Sequence, residues 1–331
     1  MEGQQGHFVI SLDFEIMWGV RDVATIKTYG ENLLGEQQVI PKTLSLFGEF
    51  GINATFATVG LLFFNDKAEM LSGIPALQPQ YINKKLIPYN GYMEESVGQG
   101  PEDDPYHFAP HLIRLIKETP GQEIGTHTFS HYYCLEEGQT IDDFRADINA
   151  AITIAAKRRI KITSIIFPRN QYNESYIRVC KELGILAYRN NEDSWLYEAK
   201  SGDSENFIRR AFRLLDAYLN ISGYHCHIIR PHTAGYPINI PSSRFLRPYS
   251  PSLKMFDKLR MRRITKAMTH AAKNNLMYHL WWHPHNFGIN QQENFDFLRQ
   301  ILLHYQYLQK KYNFASVTMT GLAKLLHKDG E

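Results

Sequence analysis

Cysteine is scarce in this chain: there are three in 331 residues, at positions 134, 180 and 226, and no two form a CxxC pair. That excludes both a disulfide framework and a thiolate zinc site, and it fits a reducing compartment. No stretch approaches the ~20 apolar residues needed to span a bilayer. The opening MEGQQGHFVISLDFE has neither a basic n-region nor a long apolar core, so it does not read as a secretory signal. A cytoplasmic protein without a transmembrane segment is the expectation. Neither sign of charge prevails, with 36 basic and 34 acidic residues for a net +2. A general nucleic-acid binder usually shows a strong basic excess, so no nucleic-acid partner is expected. Internal repeats and low-complexity tracts are absent as well. What the chain does have is 44% hydrophobic and 13% aromatic content, enough for a sizeable core. A disordered or fibrous protein is excluded.

Short apolar runs alternate with helical patterns along the chain. Strands are predicted at 7–13 (HFVISLD), 53–59 (NATFATV), 123–126, 164–167, 185–188, 226–229, 276–282 and 315–317. Helices are predicted at 39–50 (with Pro41 near its start), 110–118, 141–159, 174–183, 205–219, 253–273 and 294–311. Strands separated by helices indicate a parallel sheet covered by helices. With roughly eight such units, a (β/α) barrel is favoured over an open sheet. Two stretches break the pattern. Residues 65–110 are rich in Pro, Gly, Tyr and acids, and residues 231–251 hold five prolines. Loops of that length are functional, or they are plain insertions between barrel elements. No linker divides the chain, so residues 1–331 read as a single domain carrying these two insertions.

Four motifs could carry chemistry. In GTHTFSH, His127 and His131 directly follow a predicted strand, and two imidazoles four residues apart share a face if the segment is helical. In SLDFE, Asp13 and Glu15 alternate along a strand end and so face one site. A buried acid pair there is expensive unless it binds a cation or acts as a base. In HLWWHPH, alternation puts His279, Trp281 and His283 on one face, with Pro284 ending the strand. In SIIFPRNQ, a strand ends in Arg169, which could orient a carboxylate. Each has a bland counterpart: a chance His pair among 14 His, a strand-end cap, a core histidine.

In this order, the motifs resemble polysaccharide deacetylases with a NodB homology domain, the carbohydrate esterase 4 type. HTFSH is similar to that family's H-[ST]-x-x-H metal motif, and Asn53-Ala-Thr-Phe-Ala57 is similar to its ATFF strand. The likeness runs from about Phe8 to about Phe287. It implies a distorted (β/α) barrel of seven or eight strands, a zinc-type divalent metal held by one acid and two His, and removal of an N- or O-acetyl group from a sugar. The family's T-F-D-D motif starts with a base and ends with a metal ligand, but here Phe14 stands at the second Asp position. The resemblance therefore implies Asp13 as base and Glu15, His127 and His131 as metal ligands, with the reverse assignment of the two acids left open. His283 is similar to the general-acid His of the final L-x-H motif. Arg169 takes the place of the Arg that orients the base, although FPRNQ replaces the family's R-x-P-Y. FPRNQ and HLWWHPHNFG look like a divergent branch associated with bacterial surface-polysaccharide synthesis.

Candidate substrate contacts are Trp18, Trp281, His285 and Asn170, with at least one of the tryptophans expected to be core instead. The stretch 253–273 holds Lys254, Lys258, Arg260, Arg262, Arg263, Lys266 and Lys273 against one acid, Asp257. A solvated helix face is the first reading. Contact with the phosphate of a nucleotide- or lipid-linked sugar, or peripheral contact with anionic lipid, is the second. The alternatives to a sugar deacetylase are a hydrolase of another linear or cyclic amide on the same fold, and a catalytically degenerate carbohydrate-binding protein.

Overall fold

The structure, a computed structural model, describes residues 5–197, 207–228 and 237–328. Nine strands are found among them: β1 (His7–Phe14), β2 (Ala54–Thr58), β3 (Gln122–Thr126), β4 (Ser164–Ile166), β5 (Ala187–Arg189), β6 (Ile238–Asn239), β7 (Arg244–Phe245), β8 (Met277–Trp282) and β9 (Ala315–Ser316). The helices are α1 (Ile26–Phe50), α2 (Lys67–Ser72), α3 (Tyr92–Ser96), α4 (Pro110–Glu118), α5 (Ile141–Lys157), α6 (Glu174–Glu182), α7 (Phe207–Asp216), α8 (Asp257–Lys273), α9 (Gln291–Tyr312) and α10 (Met319–Lys328). The sheet order is β6-β5-β4-β3-β2-β1-β8-β7, with β9 beside β1, and every ladder is parallel. β1 is central and buried on both faces from Phe8 onward, which is why its sequence is almost continuously apolar. The sheet curls into the distorted (β/α) barrel that the strand–helix alternation predicts.

One short segment draws the curl together. Ile238, Ile240 and Ser242 donate to the carbonyls of Leu186, Tyr188 and Asn190 on the β5 side. Ser243 and Leu246 then donate to His279 and Trp281 on the β8 side. The chain thus steps from one sheet edge to the other within a few residues, between Pro241 and Pro248. The sequence predicts a loop here, because proline punctuation hides two-residue strands. Residues 231–236 of that stretch lie outside the described residues. So does residue 229 of the strand predicted at 226–229, of which only an isolated antiparallel bridge, His227 to Met277, is present. Residues 205–206 of the predicted helix 205–219 also lie outside, and α7 covers the rest of it up to Asp216.

α1 starts thirteen residues before the predicted helix and carries Pro41 in its interior. The lost backbone bond is offset by burial of Leu33, Val39, Ile40, Leu44 and Phe47 along one face on both sides of the proline. Thr25 caps its start, and Gly51 at φ 64° ends it in the left-handed region. The 65–110 stretch forms α2, α3 and short turns, and its Tyr81, Leu86 and Ile87 share a small core with Tyr133. On α8, Arg260 and Arg263 point inward: Arg260 donates to the Arg247 and Pro248 carbonyls at 2.6 and 3.0 Å and lies over the Phe297 ring, and Arg263 donates to the Gly223 carbonyl. These two cations brace the fold and leave the solvated face to the rest. Among the described residues no helix is long and apolar enough to cross a membrane.

Candidate metal centre

Strand ends place the chemistry. Asp13 lies near the end of β1, and Glu15 follows just past it, before a 3-10 turn over Ile16–Gly19. His127 follows β3, and His283 and His285 follow β8. All these ends lie at the carboxyl edge of the parallel sheet, where barrel active sites form.

Glu15 is the hub. Its Oε2 lies 3.2 Å from His127 Nε2 and 3.1 Å from His131 Nε2. Its Oε1 lies 3.2 Å from His285 Nε2 and 3.7 Å from His283 Nε2. The side chain is buried. Burial pushes its carboxyl up, but the imidazoles packed around it, His283 first and then His127, His131 and His285, overcome this and hold it well below the usual range. Two groups with metal-ligand spacing result, Glu15–His127–His131 and Glu15–His283–His285.

The donor chemistry favours a cation in the first group. His127 Nδ1 lies 2.8 Å from the Ile166 carbonyl, which can only accept. The proton of the neutral ring is therefore on Nδ1, and the Nε2 lone pair faces the Glu15 carboxylate. His131 Nδ1 lies 3.0 Å from the Tyr133 hydroxyl, which in turn donates to Asp22 at 3.5 Å. Its Nδ1 is then the donor as well, and burial holds this ring down at about 4, so it is neutral at pH 7. Two lone pairs and a carboxylate oxygen repel one another unless a cation lies between them. Tetrahedral zinc ligands at about 2.0–2.2 Å from the ion are themselves roughly 3.3–3.6 Å apart, a few tenths of an ångström wider than the 3.2 and 3.1 Å between Glu15 Oε2 and the two imidazoles. The Ile166 carbonyl and Tyr133 act as the outer partners that fix each tautomer.

Asp13 stands beside this group. Arg189, at the end of β5, holds it with two parallel bonds of 2.7 Å each and also donates to Ser11 Oγ at 3.0 Å and Asn170 Oδ1 at 3.1 Å. Burial pushes the Asp13 carboxyl up, but Arg189, with His127 and His283, brings it below its ordinary value. His283 Nε2 lies 3.7 Å from both Asp13 Oδ2 and Glu15 Oε1, and it is the partly exposed member of the set. Its ring is pushed down by burial, against the pull of both acids.

Three assignments made from the sequence need correction. Arg169 does not orient Asp13. It lies in a left-handed turn, φ 53°, that aims it at Asp22 and over the Tyr133 ring, and Arg189 holds the acid instead. Trp18 is fully buried with Nε1 donating to the His107 carbonyl at 3.0 Å, so it is core and not a substrate contact. His285 is buried against Glu15 with Tyr29 on its Nδ1 at 2.9 Å, a ligand-like position. Trp281 is half-buried, with the Arg189 guanidinium 4.1 Å over its ring. Asn170 is buried against Arg189. His279 is a core histidine, bonded to Ser11 and the Ile240 carbonyl, with burial pushing it down to about 3. The segment 127–131 is no helix, since Thr128 and His131 both have positive φ. Sequence reasoning missed Arg189, Tyr133 and Tyr29. The Arg ending a short apolar run at 185–188 was the available signal for the first.

The family described as polysaccharide deacetylase matches residues 9–188. A protein from Mycobacterium smegmatis assigned as a polysaccharide deacetylase superposes with a TM-score of 0.63 at 13% identity, covering 100% of this chain and 93% of its own. One from Pseudomonas aeruginosa PAO1, similarly assigned, gives 0.56 at 11%, covering 97% and 90%. An allantoinase gives 0.55 at 12%, covering 99% and 92%. At these identities the likeness is one of fold. No curated protein matches the chain. The family match spans more than half of the sequence and contains Asp13, Glu15, His127 and His131, so this chain belongs to the polysaccharide deacetylase family.

Proposed function

We propose that the chain hydrolyses an acetyl group, N- or O-linked, on a sugar used in building bacterial surface polysaccharide. The observation that carries this reading is the convergence of the His127 and His131 lone pairs on Glu15 Oε2. Glu15, His127 and His131 would hold a divalent cation, and neutral imidazoles with one carboxylate suit zinc. When bound, such a cation supplies Lewis acidity at the acetyl group.

The chain's own residues supply the rest. Asp13, ionised and fixed by Arg189, accepts the proton of the attacking water. His283, the partly exposed imidazole within reach of both acids, returns a proton to the leaving amine or alcohol. The free cysteines, two of them buried, suit a reducing compartment. We therefore favour a precursor met inside the cell over finished wall polymer.

Metal analysis and acetate release test the reading together. About one zinc-type ion bound by Glu15, His127 and His131 is expected, with acetate released from an N-acetyl sugar. Asp13→Asn should keep that ion and lose turnover, whereas Glu15→Gln should lose the ion. Loss of the metal in Asp13→Asn alone reverses the roles of the two acids. Full metal occupancy in a His127→Ala, His131→Ala double variant overturns the site. Cleavage confined to a non-sugar amide overturns the substrate.

A further inference from the structure

A cleft of about 780 Å³ opens beside Asn170, the residue that also bonds the guanidinium holding Asp13. The ends of β4, β5 and β6 form its walls. Its chemistry is lopsided. Glu192 and Asp193 line it, and none of its described lining residues is a Lys or Arg. Arg189 is close by but is already matched by Asp13.

Glu192 is the telling residue. It is 4% exposed, it forms no ion pair with any described residue, and its Oε1 has no hydrogen-bond partner among them. Asn239 Oδ1, on the same wall, is also buried without one. A buried carboxylate oxygen and an amide oxygen left without donors cost free energy in the free protein. A ligand that brings donors recovers it, most of all one that brings a positive charge. Tyr172 and Trp195 supply apolar faces beside these acceptors. Trp195 is 65% exposed and meets Phe212 in a T-shaped pair with centroids 6.4 Å apart, so much of its ring is open for a sugar to lie against.

We propose that this cleft is a subsite for a sugar unit bearing a protonated amine, next to the unit whose acetyl group is removed. The ammonium meets Glu192 and Asp193, Asn239 accepts from a hydroxyl, and the ring lies against Trp195. Anionic units, whether phosphate or uronate, are repelled by the same wall. The chain then works preferentially on sugars that already carry one free amine, so an earlier deacetylation or amination step must supply them. This rests on the sugar-deacetylase reading above.

The test measures binding of a glucosamine tetramer and of the fully N-acetylated tetramer to the metal-loaded protein by calorimetry. The glucosamine oligomer should bind at least tenfold tighter at low salt, and the preference should shrink as salt is raised. Glu192→Gln should remove most of the preference, and Asp193→Asn, at an exposed position, should remove part of it without a risk to folding. Equal binding of the two oligomers, or an undiminished preference in both variants, overturns the subsite. Acetate release from a neutral acetylated sugar, measured alongside, separates the two ideas. If it persists while the preference is absent, only the subsite fails. If no acetylated sugar is cleaved, the function itself fails, and the subsite with it.

Discussion

Asp13 and Arg189 meet through two parallel N–H···O bonds, and this geometry fixes the plane of the carboxylate as well as its charge. A lysine would supply the charge as a single point and leave that plane free to turn. Arg189→Lys is expected to lower kcat about 10- to 100-fold, the range seen for supporting partners of a metal site, while the metal content stays unchanged. Arg169→Ala should act elsewhere. It removes the cation lying 4.4 Å over the Tyr133 ring and so loosens His131, which weakens metal binding before it touches Asp13. Comparing metal affinity with kcat in the two variants checks this, and a kcat-only loss in Arg169→Ala would contradict it. The sequence makes two arginines available at two neighbouring strand ends, about 4.8 Å apart across the sheet. Which one reaches Asp13 depends on the left-handed turn at Arg169, and local propensity does not announce that turn. The acids and the histidine pair were legible because they are rare residue types at strand ends. Arg189 was not, because an Arg after a short apolar run is common.

The loop that carries His127 and His131 is shaped by α5. Asp147 of that helix accepts from the Phe129 and Ser130 amides at 2.7 and 3.1 Å and from Ser130 Oγ at 2.5 Å. Gly60 packs under Phe129, where a Cβ would come within 2.7 Å of the ring. The four-residue spacing of the histidines suggests a helical face, and the structure reaches the same convergence through a loop with two positive-φ residues. The signal lay twenty residues downstream, in an acid on the buried face of α5, beyond the reach of local periodicity. Asp147→Ala strands two buried backbone donors, each worth about 1–3 kcal/mol. The expected loss of stability is therefore at least about 2 kcal/mol, together with weaker metal binding. Urea unfolding and a metal titration measure the two effects. Unchanged metal affinity in a destabilised variant would show that the loop keeps its shape without the anchor.

The barrel is closed by its shortest strands, and a buried ion pair stands behind that closure. Asp216, at the end of α7, bonds Arg244 of β7 at 2.6 Å and also accepts from Tyr197, the Ile221 and Ser222 amides and Ser222 Oγ. Its oxygens are thus saturated, and Arg263 adds a second cation at 3.8 Å. The strand–helix alternation foretold a barrel, but not where it closes, because β6 and β7 are two residues each within a proline-broken stretch. Burial pushes the Asp216 carboxyl up, but Arg244 and the Ser222 donors outweigh it and set it well below its ordinary value of 3.8. A group depressed in this way adds stability above its unfolded value, and that stability drains away as pH falls below about 4. Asp216→Asn leaves Arg244 buried and uncompensated, so it should cost about 3–5 kcal/mol at pH 7. The gap from the unaltered protein should narrow as the pH is stepped down from 4, because the unfolded form of the unaltered protein then takes up a proton at Asp216 that the folded form does not. Urea unfolding of both proteins across that range is the measurement. A gap that stays constant from pH 7 down to pH 3 would mean that the pair does not hold the closing strands.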